Sequence, residues 1–384
     1  MRLSGGAAAL VSLTFLARFT VRRSNRIMQS RLDALRKKGN RPAPLSGIVD
    51  FKGVIHAHTL ISHDSPGLPE ELVRAAREAG LNFVVTTDHN DRRIFTEGIE
   101  GWFNDLLVIR GAEIGRENSS HQNEYLLAIN IKEFIDGNSM GIQEIIDEIH
   151  HQGGLAFVAH TWRFKDWDVK GLDGMEVYDI ADSLYGQAWK APWMAFQVLT
   201  SWEDYSEEVF LNILTRPGYS LAKWDGLSQT RRLVGIAGND AHQNLEVFGH
   251  QLDPYALDFK FVQTHILAPH LEVDTLLSAL KAGHAYLSFG LLADATGFQF
   301  CAMKETLLAI MGDEVARVPG LVLCARTPQN GWFELYRNGR KIKEAFSDRL
   351  DYGVEENGVY RVEVSLRVGN TRYPWIISNP IYVI

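Results

Sequence analysis

Residues 53–59 read Gly53-Val54-Ile55-His56-Ala57-His58-Thr59, a short apolar run closed by two histidines one residue apart. Short apolar runs bounded by turn signals read as buried strands, and alternate residues of an extended segment share a face. His56 and His58 are therefore expected to reach one locus from the end of a strand. The same punctuation recurs along the chain. Strand-like runs are expected at 53–55, 83–87, 106–109, 125–129, 155–159, 174–178 and 233–237. Asp64 follows the first pair of histidines, Asp88-His89 ends the second run and Glu113 follows the third. His160 ends the fifth run, and Asp240-Ala241-His242 follows the seventh.

Helical patterns separate these runs. Residues 69–80 begin with Pro69 and two glutamates, carry Leu72, Val73, Ala76 and Ala79 on one face and stop at Gly80, the asymmetry of a helix start and stop. Ile142, Ile145, Ile146 and Ile149 follow helical spacing, and a third helix over 273–282 stops at Gly283. Strand and helix in alternation indicate a parallel α/β architecture, and seven strands suit a barrel. In such a barrel the carboxyl ends of the strands converge on one face, so the histidines and carboxylates gather there. From about Ala293 the pattern changes to β-like runs separated by turns, with Asn338-Gly339 as a hairpin signal. The expected organisation is an N-terminal extension and linker (1–47), a hydrolase barrel (48–293) and a small antiparallel β-sandwich domain (294–384).

The chain has 384 residues, 46% hydrophobic and 22% charged, which excludes disordered and fibrous classes. A formal net charge of −8 argues against general nucleic-acid binding. Two cysteines, Cys301 and Cys324, are too few for a thiolate metal site, so a metal has to be held by nitrogen and oxygen. Imidazole with carboxylate suits Zn²⁺, Mn²⁺ or Fe²⁺ better than Mg²⁺ or Ca²⁺.

The motifs His56-Ala57-His58-Thr59, Thr87-Asp88-His89-Asn90, Gly111-Ala112-Glu113, the stretch from Gly154 to His160, and Asn239-Asp240-Ala241-His242 resemble, in order, those of the PHP (polymerase and histidinol phosphatase) superfamily. The resemblance covers about residues 48–289. It implies a distorted (β/α)7 barrel with two or three divalent metal ions (Zn, Mn or Fe) held by His56, His58, Asp64, His89, Glu113, His160, Asp240 and His242. The C-terminal segment is similar to the β extension of many bacterial members. Two departures stand out. Asp64 comes one residue later than in the usual pattern, with His63 as a spare candidate, and Tyr125 stands where the family frequently places a histidine. His121, four residues upstream, substitutes as a ligand only if its loop folds inward.

Divalent ions sharing ligands generate a hydroxide nucleophile and clamp phosphoryl oxygens, so the expected chemistry is phosphoester hydrolysis on a small anionic substrate, with nucleotide-like esters among the candidates. His58 and Asp240 are expected at the reacting centre, and Asp88 as an orienter or proton acceptor beside His89. Arg92, Arg93, Arg116 and Arg163 follow three of the motifs and are candidates for an oxyanion. The alternatives are a carboxylester or carbamate hydrolase on the same metals and a non-catalytic metal-binding module. Trp189, Trp193 and Trp202, in a long insertion between the sixth and seventh runs, either form an aromatic lid or pack the insertion on the barrel.

At the N-terminus, residues 5–17 are a thirteen-residue apolar run followed by Arg18, Arg22, Arg23 and Arg26. About 20 residues are needed to cross a bilayer. A flexible amphipathic extension, a signal segment and membrane association through residues 5–21 stay open; an anchor here would leave the domain cytoplasmic by the positive-inside rule. Residues 31–44 read as a polar linker.

Overall fold

The structure is a computed structural model describing residues 4–37, 39–117 and 123–384; the expected ligand His121 lies outside the described residues. In chain order the elements that build the barrel are β1 (Val49–Ala57), α2 (Pro69–Glu78, after the N-terminal helix α1, Ser4–Arg36), β2 (Phe83–Thr86), β3 (Gly101–Phe103), β4 (Leu106–Glu117), β5 (Asn123–Ile129), α3 (Ile142–His151), β6 (Leu155–Ala159) and β7 (Gly174–Asp179). An insertion of α4 (Ile180–Tyr185), α5 (Ala191–Phe210) and α6 (Gly218–Leu227) precedes β8 (Val234–Ala241).

Seven strands close the barrel in the order β1-β2-β4-β5-β6-β7-β8, with β8 returning to β1. Each of the seven runs expected from sequence falls in one of them. The expectation of a wholly parallel sheet is corrected at one place: β5 runs antiparallel to both β4 and β6. Only five residues separate β4 from β5, too few for a crossover helix, so the chain has to turn straight back. The start of β5, rather than its end, therefore reaches the rim where the parallel strands end.

The flanking helices form for the reasons read from sequence. Pro69 opens α2, whose Leu72, Ala75 and Ala76 are buried; the four isoleucines of α3 are all buried; and α8 (Val273–Ala282) stops at Gly283, whose φ of +80° is the left-handed cap glycine supplies without steric penalty. Beyond β8 come a short β9/β10 hairpin (Glu246–Val247, His250–Gln251), α7 (Tyr255–Phe261), β11 (Gln263–Ala268), α8 and β12 (Ala285–Ser288).

The C-terminal strands β13 (Gln299–Met303), β14 (Leu307–Ile310), β15 (Glu314–Val315), β16 (Val322–Arg337), β17 (Arg340–Gly353), β18 (Gly358–Val368), β19 (Thr371–Ser378) and β20 (Ile381–Val383) pair mostly antiparallel. Asn338 and Gly339 turn the β16–β17 hairpin with φ of +50° and +76°. These strands are hydrogen-bonded to the barrel: β1 pairs with β11, β11 with β12 and β12 with β19, all antiparallel. A buried ion cluster adds a second junction. The Arg361 guanidinium makes two hydrogen bonds to the Asp225 carboxylate of α6 (2.6 and 2.7 Å) and one to Glu363 (2.6 Å), which also accepts from Arg216.

The N-terminal segment departs from its expected form. Helix α1 extends to Arg36, through the first part of the stretch read as linker. It docks on α5: Arg22 donates to the Thr200 carbonyl (3.1 Å) and pairs with Asp204, Arg26 reaches the Tyr205 hydroxyl (3.4 Å), and Arg36 pairs with Glu207 (2.6 Å). The hydrophobic ends of this face, Val21 and Leu32, are buried. Packing therefore fixes a segment whose composition alone reads as free. Among the described residues no helix is long and apolar enough to cross a membrane.

Candidate metal centre

Five histidines and three carboxylates named from the sequence meet at the barrel rim. His56 sits just before the end of β1, in a bulge where the register to both β2 and β8 shifts. Its φ is +72°, and His160 and Asp240 have φ of +47° and +48°. The left-handed region is sterically unfavourable for such side chains, and its use at three positions of the cluster is strain of the kind that collects at functional sites. It also corrects the reasoning for the first pair: His56 and His58 converge because a bulge re-aims His56, not because β1 is regularly extended.

The Glu113 carboxylate is the centre of the cluster. It lies within β4, which runs on to Glu117, and is buried. Its Oε1 is 3.5 Å from Nε2 of both His56 and His160; its Oε2 is 3.7 Å from His58 Nε2 and 3.0 Å from His89 Nδ1. Asp240 bridges similarly, with Oδ1 3.2 Å from His56 Nε2, 3.5 Å from His58 Nε2 and 3.4 Å from His242 Nδ1, and Oδ2 3.9 Å from His160 Nε2. Asp64 closes the outer side, 3.2 Å from His89 Nε2 and 3.5 Å from His242 Nε2. His56 with His160 and Asp240 forms one tight group of ligand atoms, and His58 with His89 and His242 another. His63, Asp64 and His89 form a further, more exposed group.

These residues fit metal ions. His56 Nε2, His58 Nε2 and both Glu113 oxygens are buried without a hydrogen-bond partner among the described residues, although buried polar atoms are ordinarily paired. Burial and the nearby His242 push His58 down to about 3, leaving it as the neutral imidazole that ligates. Burial opposes charge on His56 too, yet Glu176, Asp240 and Glu113 outweigh it and raise that imidazole well above its usual value. His160 is raised in the same way by Asp182 and Glu113 against burial, while Glu113, despite burial, is held well below the carboxylate range by His56 and its other histidine neighbours. Without cations, protons on His56 and His160 offset the carboxylates.

Two carboxylates that sequence reasoning missed, Glu176 and Asp182, hold histidines of the cluster. Glu176 Oε1 lies 2.6 Å from His56 Nδ1 and its Oε2 accepts from the His160 backbone N–H (2.8 Å). Asp182 lies 3.0 Å from His160 Nδ1, and Asp179 caps α4. The signal was one acidic residue within the apolar run 174–178. Asp88 does not touch the cluster by a hydrogen bond; it accepts from the Thr59 backbone N–H and from the hydroxyls of Thr59 and Ser62. Ser62 in turn is 2.9 Å from His58 Nδ1 and accepts from the His89 N–H. Asp88 thus reaches His58 and His89 through Ser62. Tyr125 faces the rim, with its ring 5.7 Å from that of His160.

A cleft of about 310 Å³ opens over the ligands, lined on one side by Asp64, His89, Glu113, His160 and Asp240, and on the other by Ile180, Leu184, Tyr185, Phe210 and Ile213 of the insertion. Of the four candidate arginines, Arg163 lies in its wall. Arg92 sits over the Phe134 ring, Arg93 is engaged by Asp91 and the Ile61 carbonyl, and Arg116 stands opposite Glu124 in the β4–β5 ladder. The insertion closes over the site with Tyr185 and aliphatic residues rather than with tryptophans: Trp202 is buried, while Trp189 and Trp193 are exposed and line no part of the cleft.

The fold is an α/β barrel whose rim gathers residues that could hold a metal ion. No family model matches the chain. It is similar to an uncharacterized protein of Methanocaldococcus jannaschii, 29% identical over 150 residues, which cover 34% of this chain and 82% of the relative. It also bears a partial likeness to solved structures. One is a two-domain protein containing a predicted PHP-like metal-dependent phosphoesterase from Bacteroides vulgatus, with 16% identity, 90% of this chain and 98% of that chain covered, and a TM-score of 0.46. Another is endonuclease Q in complex with a 27-mer duplex carrying an abasic lesion, with 14% identity, 61% of this chain and 56% of that chain covered, and a TM-score of 0.36.

Proposed function

We propose that the chain is a metal-dependent phosphoesterase of the PHP superfamily, acting on a small anionic ester. The observation that carries the reading is the convergence of the unpartnered His56, His58 and Glu113 atoms with Asp240 between them. His56, His160, Glu113 and Asp240 would hold one divalent ion, and His58, His89, His242 and Asp64 a second, with Glu113 and Asp240 shared. His63 offers a ligand toward a third. Such ions supply Lewis acidity, bringing a water toward ionisation at neutral pH and neutralising phosphoryl oxygens. Zinc, manganese and iron suit this donor set.

The chain's own residues do the rest. Glu176 and Asp182 fix the tautomers of His56 and His160 by accepting from Nδ1–H, leaving Nε2 free to ligate. Arg163 faces the cleft as the cation for a phosphate oxygen. The apolar wall of Ile180, Leu184, Phe210 and Ile213 receives the organic part of the ester and keeps water from it. That wall also favours the second reading, a carboxylester or carbamate substrate. The division into an N-terminal extension (1–47), a barrel (48–293) and a β-sandwich domain (294–384) accompanies this proposal.

The test is metal analysis of the purified protein, then a panel of aryl phosphates, phosphodiesters and carboxylesters with a His58→Ala control. Phosphate-ester turnover that needs Mn²⁺ or Zn²⁺ and is lost in His58→Ala supports the proposal. Ester cleavage without phosphate-ester cleavage replaces it with the second reading.

A further inference from the structure

Helix α1 has two apolar faces. One, with Val21, Asn25 and Leu32, is buried against the protein. At 100° per residue, Leu16, Phe19 and Ile27 fall on the opposite side, and they are 61%, 58% and 44% exposed. Large apolar side chains aligned on the outer face of a docked helix lack the usual reason to be there. The same helix continues toward its start through the apolar run 5–17.

Charge says what covers this face. Before Asp33 the chain carries six arginines (Arg2, Arg18, Arg22, Arg23, Arg26 and Arg31) and no acidic residue, although the whole chain has a formal net charge of −8. Arg22 is engaged by Asp204, but Arg23 and Arg31 are exposed, Arg23 within the apolar stripe and Arg31 at its edge beside Ile27. A second copy of an acidic protein or a neutral partner would not require such a concentration of arginine. An apolar stripe edged by arginine is the pattern of a helix that lies in the interface of an anionic bilayer, its apolar residues among the acyl chains and its guanidinium groups at the headgroups. Exposed aromatic side chains stand on the neighbouring insertion as well: Trp189 precedes α5, and Trp193 lies in its first turn.

We propose that the outward face of α1 is a docking surface for anionic lipid bilayers, on which the protein lies without spanning.

The test is co-sedimentation of the full chain with phosphatidylcholine vesicles and with vesicles containing 30% phosphatidylglycerol, at low salt and at 0.5 M salt. The expected result is at least tenfold stronger binding to the anionic vesicles, weakened by salt. Phe19→Asp should abolish it, and Arg23→Glu with Arg31→Glu should reduce it at least tenfold. Thermal melts and metal content equal to the parent's keep these variants interpretable. Three results overturn the proposal: a chain that stays in the supernatant, binding unchanged in Phe19→Asp, or concentration-dependent self-association that Phe19→Asp removes in the absence of lipid. Because the readout is sedimentation, it stands or falls independently of the hydrolytic reading.

Discussion

Glu176 holds two ligand residues from one carboxylate: Oε1 meets His56 Nδ1 at 2.6 Å and Oε2 accepts the His160 backbone N–H at 2.8 Å. One side chain of β7 thereby fixes both the imidazole direction at the first strand and the strained backbone at the end of β6. Replacing it with glutamine keeps the volume but weakens the acceptor. Glu176→Gln is expected to lower metal affinity roughly 10- to 100-fold with the fold intact. Chelator competition monitored by metal content checks this, and unchanged affinity would refute the orienting role.

Glu113 has an oxygen toward each group of histidines, so its loss should empty both. Glu113→Ala is expected to leave less than one ion per chain, whereas His242→Ala, which removes a ligand from one group, should leave roughly half the parent's content. Plasma mass spectrometry after desalting decides it.

Metal retention should depend on pH in a defined direction. His56 and His160 are raised well above their usual values in the cation-free site, so they carry protons that an incoming ion has to displace. Protons and metal compete, and apparent affinity is expected to fall as pH is lowered through the neutral range, with proton release on binding at constant pH. Calorimetry in two buffers of different ionisation enthalpy measures that release.

Arg163 contributes a charge rather than a ligand. For a phosphate ester, Arg163→Ala is expected to raise KM roughly 10- to 100-fold, the equivalent of a charge-assisted hydrogen bond worth about 1.5–3 kcal/mol, while metal content stays at the parent's level. A neutral carboxylester should show little change, so the same variant distinguishes the two substrate classes.

Stability away from the site rests partly on Arg361. It is nearly inaccessible and faces both Asp225 and Glu363. Arg361→Ala strands the Asp225 carboxylate and leaves Glu363 to Arg216 alone, and removal of one partner from a buried ion group typically costs about 3–5 kcal/mol. Denaturant titration should show a loss of that order, whereas Arg349→Ala, on the exposed face of β17, should change little.

The barrel and its ligands were legible because both leave local marks. Each strand is a short apolar run, and strand ends together with the resemblance pointed to His56, His58, His89, Glu113, His160, Asp240 and His242, which the fold brings together. What escaped were features set by contacts distant in sequence. Glu176 sits inside an apolar strand, where nothing local tells a structural carboxylate from one aimed at a histidine some 120 residues away. The direction of β5 was hidden because an apolar run reads the same in either sense; only the short link to β4 decides it. Helix α1 ran through its expected linker because docking on α5 outweighs the Lys37-Lys38-Gly39 composition that marks a break just beyond it.

The pairing of β1 with β8, Ile55 opposite Gly238 and Ala57 opposite Ala241, joins the first strand made to the last of the barrel. During synthesis His56 and His58 emerge long before Asp240 and His242. At 5–20 residues per second, the roughly 180 residues between them take about 10–40 s. Through that interval His56, His58, Asp64, His89 and Glu113 are already made while Asp240 and His242 are not, so the cluster is completed only when β8 closes on β1.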